Sequence, residues 1–147
     1  MDKILIQNKK ASFEFLLLQT FTAGIVLTGT EVKAIREGKA SLSEAYGILT
    51  NGELWLKNMH ISEFKQGSYN NHEPKRLRNL LLNRLELRKI ESRLKEKGTT
   101  IVPIQLYFNE RGFAKVDIAV ARGKKMFDKR EDLKKKDQER EIRKVVR

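Results

Sequence analysis

A chain of 147 residues without cysteine forms no disulfide, offers no thiol nucleophile and lacks cysteine-ligated zinc sites. Thirty-one Lys and Arg against nineteen Asp and Glu give +12 at pH 7, a charge that calls for a polyanionic partner, either nucleic acid or an anionic membrane surface. No apolar run approaches the ~20 residues of a membrane span, and Met1-Asp2-Lys3-Ile4-Leu5-Ile6 is too short and wrongly flanked for a signal peptide, so one cytoplasmic domain with an appendage is expected.

Asn8-Lys9-Lys10-Ala11 is a short basic lead-in. The alternation Phe15, Leu17, Phe21, Ala23, Ile25, Leu27, interrupted only at Gln19, predicts one strand with a single apolar face and a bend or bulge at Gly24. Thr28 and Glu31 have capping-box spacing, so a short helix should follow through Val32 and Ile35 and stop at Gly38. Asn51-Gly52, between strand-like runs at 45–50 and 53–61, predicts a hairpin because both turn residues need positive φ. Residues 66–74 are polar and loop-like. Leu77, Leu80, Leu81, Leu85, Ile90 and Leu94 predict a helix over about 75–97, started at Pro74, stopped at Gly98 and open to a break near Asn83. Strands at 99–108 and 113–121 flank a turn at Asn109-Glu110-Arg111-Gly112.

Four to six short strands in meander order, with a helix before the last hairpin, fit a mainly β chain. The closest architecture is a small closed or nearly closed antiparallel barrel of the oligonucleotide/oligosaccharide-binding (OB) type, with about three peripheral helices. An α+β sandwich gives a similar string. The barrel with its helices is assigned to residues 1–122, and a basic junction and tail to 123–147.

Catalysis finds little support. His60 and His72 are the only histidines, neither sits in a spaced pair with a second ligand, and no phosphate loop or nucleophile elbow appears. No catalytic residue, metal site, cofactor or small-molecule substrate is assigned, although a carboxylate-dependent ribonuclease stays open as an alternative. Glu31 has two readings: it caps the helix, or it accepts hydrogen bonds from a base edge or ribose hydroxyl while Lys33 and Arg36 meet phosphates. Asn58 and His60 alternate with Leu54 and Leu56, so an unbroken strand buries them, whereas a strand passing the barrel mouth presents them to a ligand. Phe21, Tyr46 and Trp55 offer rings for base stacking, with core packing the expectation for at least two of them.

Residues 122–147 hold twelve Lys/Arg and six Asp/Glu, half of the net excess. Asp128 with Glu131 is a further capping pair, and Glu131, Asp132 and Glu139 stand four residues before Lys135, Lys136 and Arg143. Leu133, Ile142, Val145 and Val146 make no stripe that docks on a core, so the tail is expected to be disordered when free and helical on a polyanion.

Taken in order, several stretches resemble the small protein B (SmpB) family, whose members bind transfer-messenger RNA (tmRNA) and act on stalled ribosomes. They are residues 8–11, the run from Ala23 to Lys33, Gly38-Lys39-Ala40, Asn58-Met59-His60-Ile61-Ser62, Asn71-His72-Glu73-Pro74, Arg78-Asn79-Leu80-Leu81-Leu82, and Gly123-Lys124-Lys125 followed by Asp128-Lys129-Arg130. Ser12 lies where many members have histidine, and Phe127 where tyrosine or histidine is usual. The resemblance implies an OB-like barrel that grips the tRNA-like end of tmRNA near its elbow, around Glu31, Asn58 and Lys124, which moves the weight for Glu31 toward RNA contact with capping as a second job. Replacing Glu31 by Ala should then weaken tmRNA binding with little change in melting temperature. The RNA-facing set becomes Lys9, Lys10, Glu31, Lys33, Arg36, Lys39, Asn58, His60, Lys124 and Lys125. The resemblance also implies a tail that enters the empty mRNA path and decoding centre of the small ribosomal subunit, here Asp128, Lys129, Arg130, Lys134, Lys135, Lys136, Arg140, Arg143 and Lys144. The expected protein is a monomeric, non-enzymatic adaptor in ribosome rescue (trans-translation), with tmRNA and the ribosome as partners and no membrane. A general translation-associated OB protein without tmRNA preference is the runner-up.

Overall fold

The structure, a computed structural model, describes residues 3–65 and 71–124. These are mainly β, with three helices among the described residues. Strands β1 (Lys3–Gln7), β2 (Phe15–Ile25), β4 (Tyr46–Thr50), β5 (Glu53–Lys57), β7 (Arg78–Leu81), β8 (Thr99–Phe108) and β9 (Ala114–Gly123) form one antiparallel sheet in the order β1-β8-β4-β5-β7-β2-β9. Strand β8 also pairs with β9, while β3 (Ala40–Ser41) and β6 (His60–Ile61) form a separate pair. Helix α1 (Ala11–Glu14) precedes β2, α2 (Gly29–Arg36) follows it, and α3 (Arg84–Leu94) precedes the last hairpin.

Local signals set several of these elements. Thr28 Oγ1 accepts from the Glu31 amide and Glu31 Oε1 accepts from the Thr28 amide, closing the capping box that starts α2; Gly38, at φ 74°, carries the chain away from its end. Asn51 and Gly52 adopt φ 52° and 77°, so β4 and β5 pair in the register Ile48↔Trp55 and Gly47↔Leu56. Leu54 and Leu56 then enter the core and Trp55 faces outward, half-buried.

Four expectations need correction. Residues 78–81 form β7 instead of the first turns of a helix, because pairing with both β5 and β2 outweighs the helical spacing of the leucines. Leu80 is buried while Leu77 and Leu81 are exposed, and α3 begins only after Asn83, whose side chain makes a reciprocal capping box with Glu86. The strand expected over 53–61 breaks at Asn58, which takes φ 65°. That one left-handed residue shifts the alternation, so Met59 and Ile61 are buried and Asn58 and His60 are half-exposed. The bulge in β2 lies between Leu17 and Gln19 rather than at Gly24. It divides the apolar face: Phe21, Ala23 and Ile25 join the main core, whereas Phe15 and Leu17 pack on the other side with Ala11, Val102, Ala119 and Ala121. Finally, β1 and α1 were not expected, and the described residues hold more strands than the four to six anticipated.

The main core joins Leu54, Leu56, Met59, Ile61, Leu80, Ile90, Ile101, Leu106, Val116 and Ile118 to Ala34 and Ile35 of α2. Strands β4 and β8 meet at one pair, Gly47↔Ile101. A Cβ on Gly47 would lie 2.7 Å from the Ile101 side chain, so glycine is what lets these strands approach. The tail expectations, including Lys125, Phe127, the helix start at Asp128 and the run to Arg147, lie outside the described residues, as does 66–70 of the polar loop.

Candidate nucleic-acid interface

The capping box brings Glu31 to the inner side of α2, where its side chain has no exposure and meets two arginines, Arg76 just before β7 and Arg78 at the start of β7. Arg78 Nε donates to Glu31 Oε2 at 2.5 Å, and Arg76 Nη2 donates to Oε1 at 2.6 Å. With the Thr28 amide also on Oε1 at 2.8 Å, both carboxylate oxygens are engaged. Arg78 is itself fully buried and donates to the carbonyls of Met59 and Pro74 at 2.7 and 3.1 Å. Burial pushes the Glu31 carboxyl up, but the hydrogen bond from Arg76, the Thr28 amide and the charge of Arg78 outweigh it and hold the group below its ordinary value of 4.5. Burial pulls the Arg78 guanidinium below its ordinary value, partly offset by Glu31.

His72 fixes the next contact. Its Nε2 donates to the Ile61 carbonyl at 2.9 Å, leaving Nδ1 to accept from the Thr30 hydroxyl at 2.9 Å. The ring is buried and links α2 to β6. Thus Glu31 and His72 are interior groups that set the pose of α2.

The opposite face of α2 carries the exposed cations. Lys33 lies over the Phe64 ring at 5.5 Å and Arg36 over the Phe108 ring at 4.6 Å, three residues apart on one helix face. Neither has a carboxylate within ion-pair distance among the described residues. Lys39 is exposed and pairs with Glu37 at 3.3 Å. Lys9 and Lys10 are exposed on the lead-in to α1, Lys10 at 3.8 Å from Glu44. Asn8, between β1 and α1, is buried and donates to the Pro103 and Leu42 carbonyls. Lys124 is tied to α1: its amide donates to the Glu14 carbonyl at 3.0 Å and its Nζ to the Ser12 carbonyl at 3.1 Å.

Of the expected RNA-facing residues, Lys33, Arg36 and Lys39 share α2 and the turn after it, Lys9, Lys10 and Lys124 gather around α1, and Asn58 and His60 stand half-exposed at the β5–β6 break. Glu31 is not presented to solvent. Lys125 and the tail set, Asp128, Lys129, Arg130, Lys134, Lys135, Lys136, Arg140, Arg143 and Lys144, lie outside the described residues. Phe21 is core, while Tyr46 and Trp55 are half-buried. Sequence reasoning missed Arg76 and Arg78 as site residues. The two-residue spacing of Arg76, Arg78 and Leu80 was the available sign that the chain is extended here, with Arg76 just before β7 and Arg78 at its start. Among the described residues no group of three or more His, Asp and Glu is placed to hold a metal ion, and no helix is long and apolar enough to cross a membrane.

The model of the SmpB protein family matches residues 5–147. An SsrA-binding protein of Phocaeicola vulgatus is 58% identical over 137 residues, covering 93% of this chain and 91% of the relative. An SsrA-binding protein of Cytophaga hutchinsonii is 56% identical over 140 residues, covering 95% and 92%. Among solved structures, a chain described under "tmRNA-SmpB: a journey to the center of the bacterial ribosome" matches with TM-score 0.71 and 44% identity, over 84% of this chain and 87% of that one.

Proposed function

The chain belongs to the SmpB protein family, and from that premise we propose that it is a non-enzymatic adaptor that binds the tRNA-like domain of tmRNA and brings it to stalled ribosomes. The observation that carries this is the extent of the match: the family model runs through residue 147 and so takes in the basic tail as well as the sheet. The exposed cations of α2 and of the α1 region support a backbone-tracking RNA surface. Neutralising even six phosphates would cost on the order of a thousandfold in affinity between low and moderate salt.

In this reading the sheet is an OB-like barrel, closed where β8 pairs with both β4 and β9, and it serves as the tmRNA-binding body over residues 1–122. In the same reading residues 123–147, of which 125–147 lie outside the described residues, are the element that enters the vacant mRNA path. The protein acts as a monomer in the cytoplasm, without cofactor, small-molecule substrate or membrane.

Binding competition tests the reading. Excess ordinary tRNA should displace a labelled tmRNA tRNA-like domain poorly; equal displacement would favour a general translation-associated RNA-binding protein. A chain stopped after Phe127 should keep near-full tmRNA affinity and lose tagging on stalled ribosomes, and tagging by that protein would remove the role given to the tail.

A further inference from the structure

We propose that Arg76 is the residue by which the Glu31 corner of the surface takes an RNA phosphate, with Glu31 beneath it as a positioning residue; this rests on the RNA-binding reading above.

Charge is unevenly distributed at this corner. Glu31 and Arg78 are both fully buried and neutralise one another. Arg76 donates to the same carboxylate, so the three groups together carry one surplus positive charge. Nearby, exposed Glu73 acts electrostatically on Arg78 and exposed Lys75 adds a cation of its own, while Glu73 makes no ion pair with Arg76 among the described residues. The surplus therefore belongs to the one member with solvent access, Arg76, whose side chain is 32% exposed.

That guanidinium is held in place before any ligand arrives. Its Nε and Nη2 donate to Glu31 at 3.3 and 2.6 Å, Nη2 also donates to the Val26 carbonyl at 3.0 Å, and Nη1 reaches the Leu77 carbonyl at 3.5 Å. Of five N–H groups four are occupied, which leaves one Nη1 donor for an anion. Val26 and Leu77, whose carbonyls hold it, are 46% and 42% exposed. A fixed cation set in apolar surface suits a phosphate with its attached ribose or base. Little side-chain entropy is lost on contact, and the apolar flanks raise the effective strength of the charge.

The same geometry assigns Glu31 an indirect part. With both oxygens engaged, it acts on RNA by aiming Arg76, not by accepting from a base.

The test is anisotropy titration of a labelled tRNA-like-domain transcript across a salt series. Arg76→Gln leaves the buried Glu31–Arg78 pair balanced, so the fold should survive. Affinity should fall about tenfold, and the log–log salt slope should become shallower by about one phosphate equivalent, roughly 0.7–0.9. Arg76→Lys should keep the slope and lose no more than about threefold. Wild-type affinity and slope in Arg76→Gln would overturn the proposal, as would loss of fold in both variants, which would make Arg76 a structural pin only. For Glu31, the double variant Glu31→Gln/Arg76→Gln, measured cold, should bind no worse than the weaker single variant. Additive losses would mean that Glu31 meets RNA itself and would overturn the positioning role. Failure of the wild-type protein to prefer the tRNA-like domain over tRNA is a separate result, which strikes the adaptor reading instead.

Discussion

Glu31 on α2 and Arg78 on β7 form an ion pair in which neither side chain reaches solvent, although they stand 47 residues apart in sequence. Arg78 also holds the Met59 and Pro74 carbonyls, so this contact binds α2, the β5–β6 break, the loop before β7 and β7 itself. Removing one member of a buried pair leaves the other charged, desolvated and alone.

Glu31→Ala should therefore cost about 3–5 kcal/mol of stability, far beyond the ~1 kcal/mol of a lost helix cap. The melting temperature should fall markedly, contrary to the small change that the capping-plus-contact reading implied. Urea unfolding measures the loss, and a value near 1 kcal/mol would show that Arg76 and Arg78 find other partners. RNA affinity of this variant has meaning only when referred to the folded fraction.

The same carboxylate gives the protein an acid-sensitive contribution. Its folded-state pKa lies below the ordinary 4.5, so its stabilisation is complete above about that pH and drains away as the pH falls through the lower folded value. Urea unfolding of wild type and Glu31→Gln from neutral pH to pH 3 should give curves that converge on the acid side. Parallel curves would remove the linkage.

Asn58 separates backbone from side-chain roles. Its φ of 65° makes the phase shift that buries Met59 and exposes His60. Asn58→Gly should hold stability within about 0.5 kcal/mol, whereas Asn58→Val should lose about 1–2 kcal/mol by forcing a branched side chain into the left-handed region. If Asn58→Gly binds tmRNA like wild type, the residue serves the turn and not the RNA.

Gly47→Ala should cost about 1–3 kcal/mol, since its methyl would lie 2.7 Å from Ile101 at the single pairing of β4 with β8. Ile101→Ala by itself empties core volume at a cost of about 2–5 kcal/mol, so the clash should show as a double variant, Gly47→Ala/Ile101→Ala, that loses less than the sum of the two single variants. A Gly47→Ala variant as stable as wild type in urea would mean that the two strands move apart freely.

Signals confined to a few residues were legible in the chain. Thr28 with Glu31 fixed the start of α2, Gly38 its end, and Asn51-Gly52 the hairpin, because each is decided by backbone conformations within a turn. Features decided by partners far away were not. Leu77, Leu80 and Leu81 fit the helical spacing that continues to Leu94, yet residues 78–81 form a strand because they pair with both β2 and β5. Glu31 could be seen as a cap but not as the counter-ion of Arg78, since that depends on where β7 is placed. The phase shift at Asn58 likewise has no marker in composition, and it decides which side of the strand His60 occupies.

The attachment of Lys124 to α1 ties the two ends of the described chain together. The acceptors are the main-chain carbonyls of Ser12 and Glu14, so neither hydrogen bond of the tether uses the Ser12 side chain. A change that tilts α1 should re-aim the departing chain from the far terminus, and steering defects can then arise from the lead-in without any alteration to the extension itself.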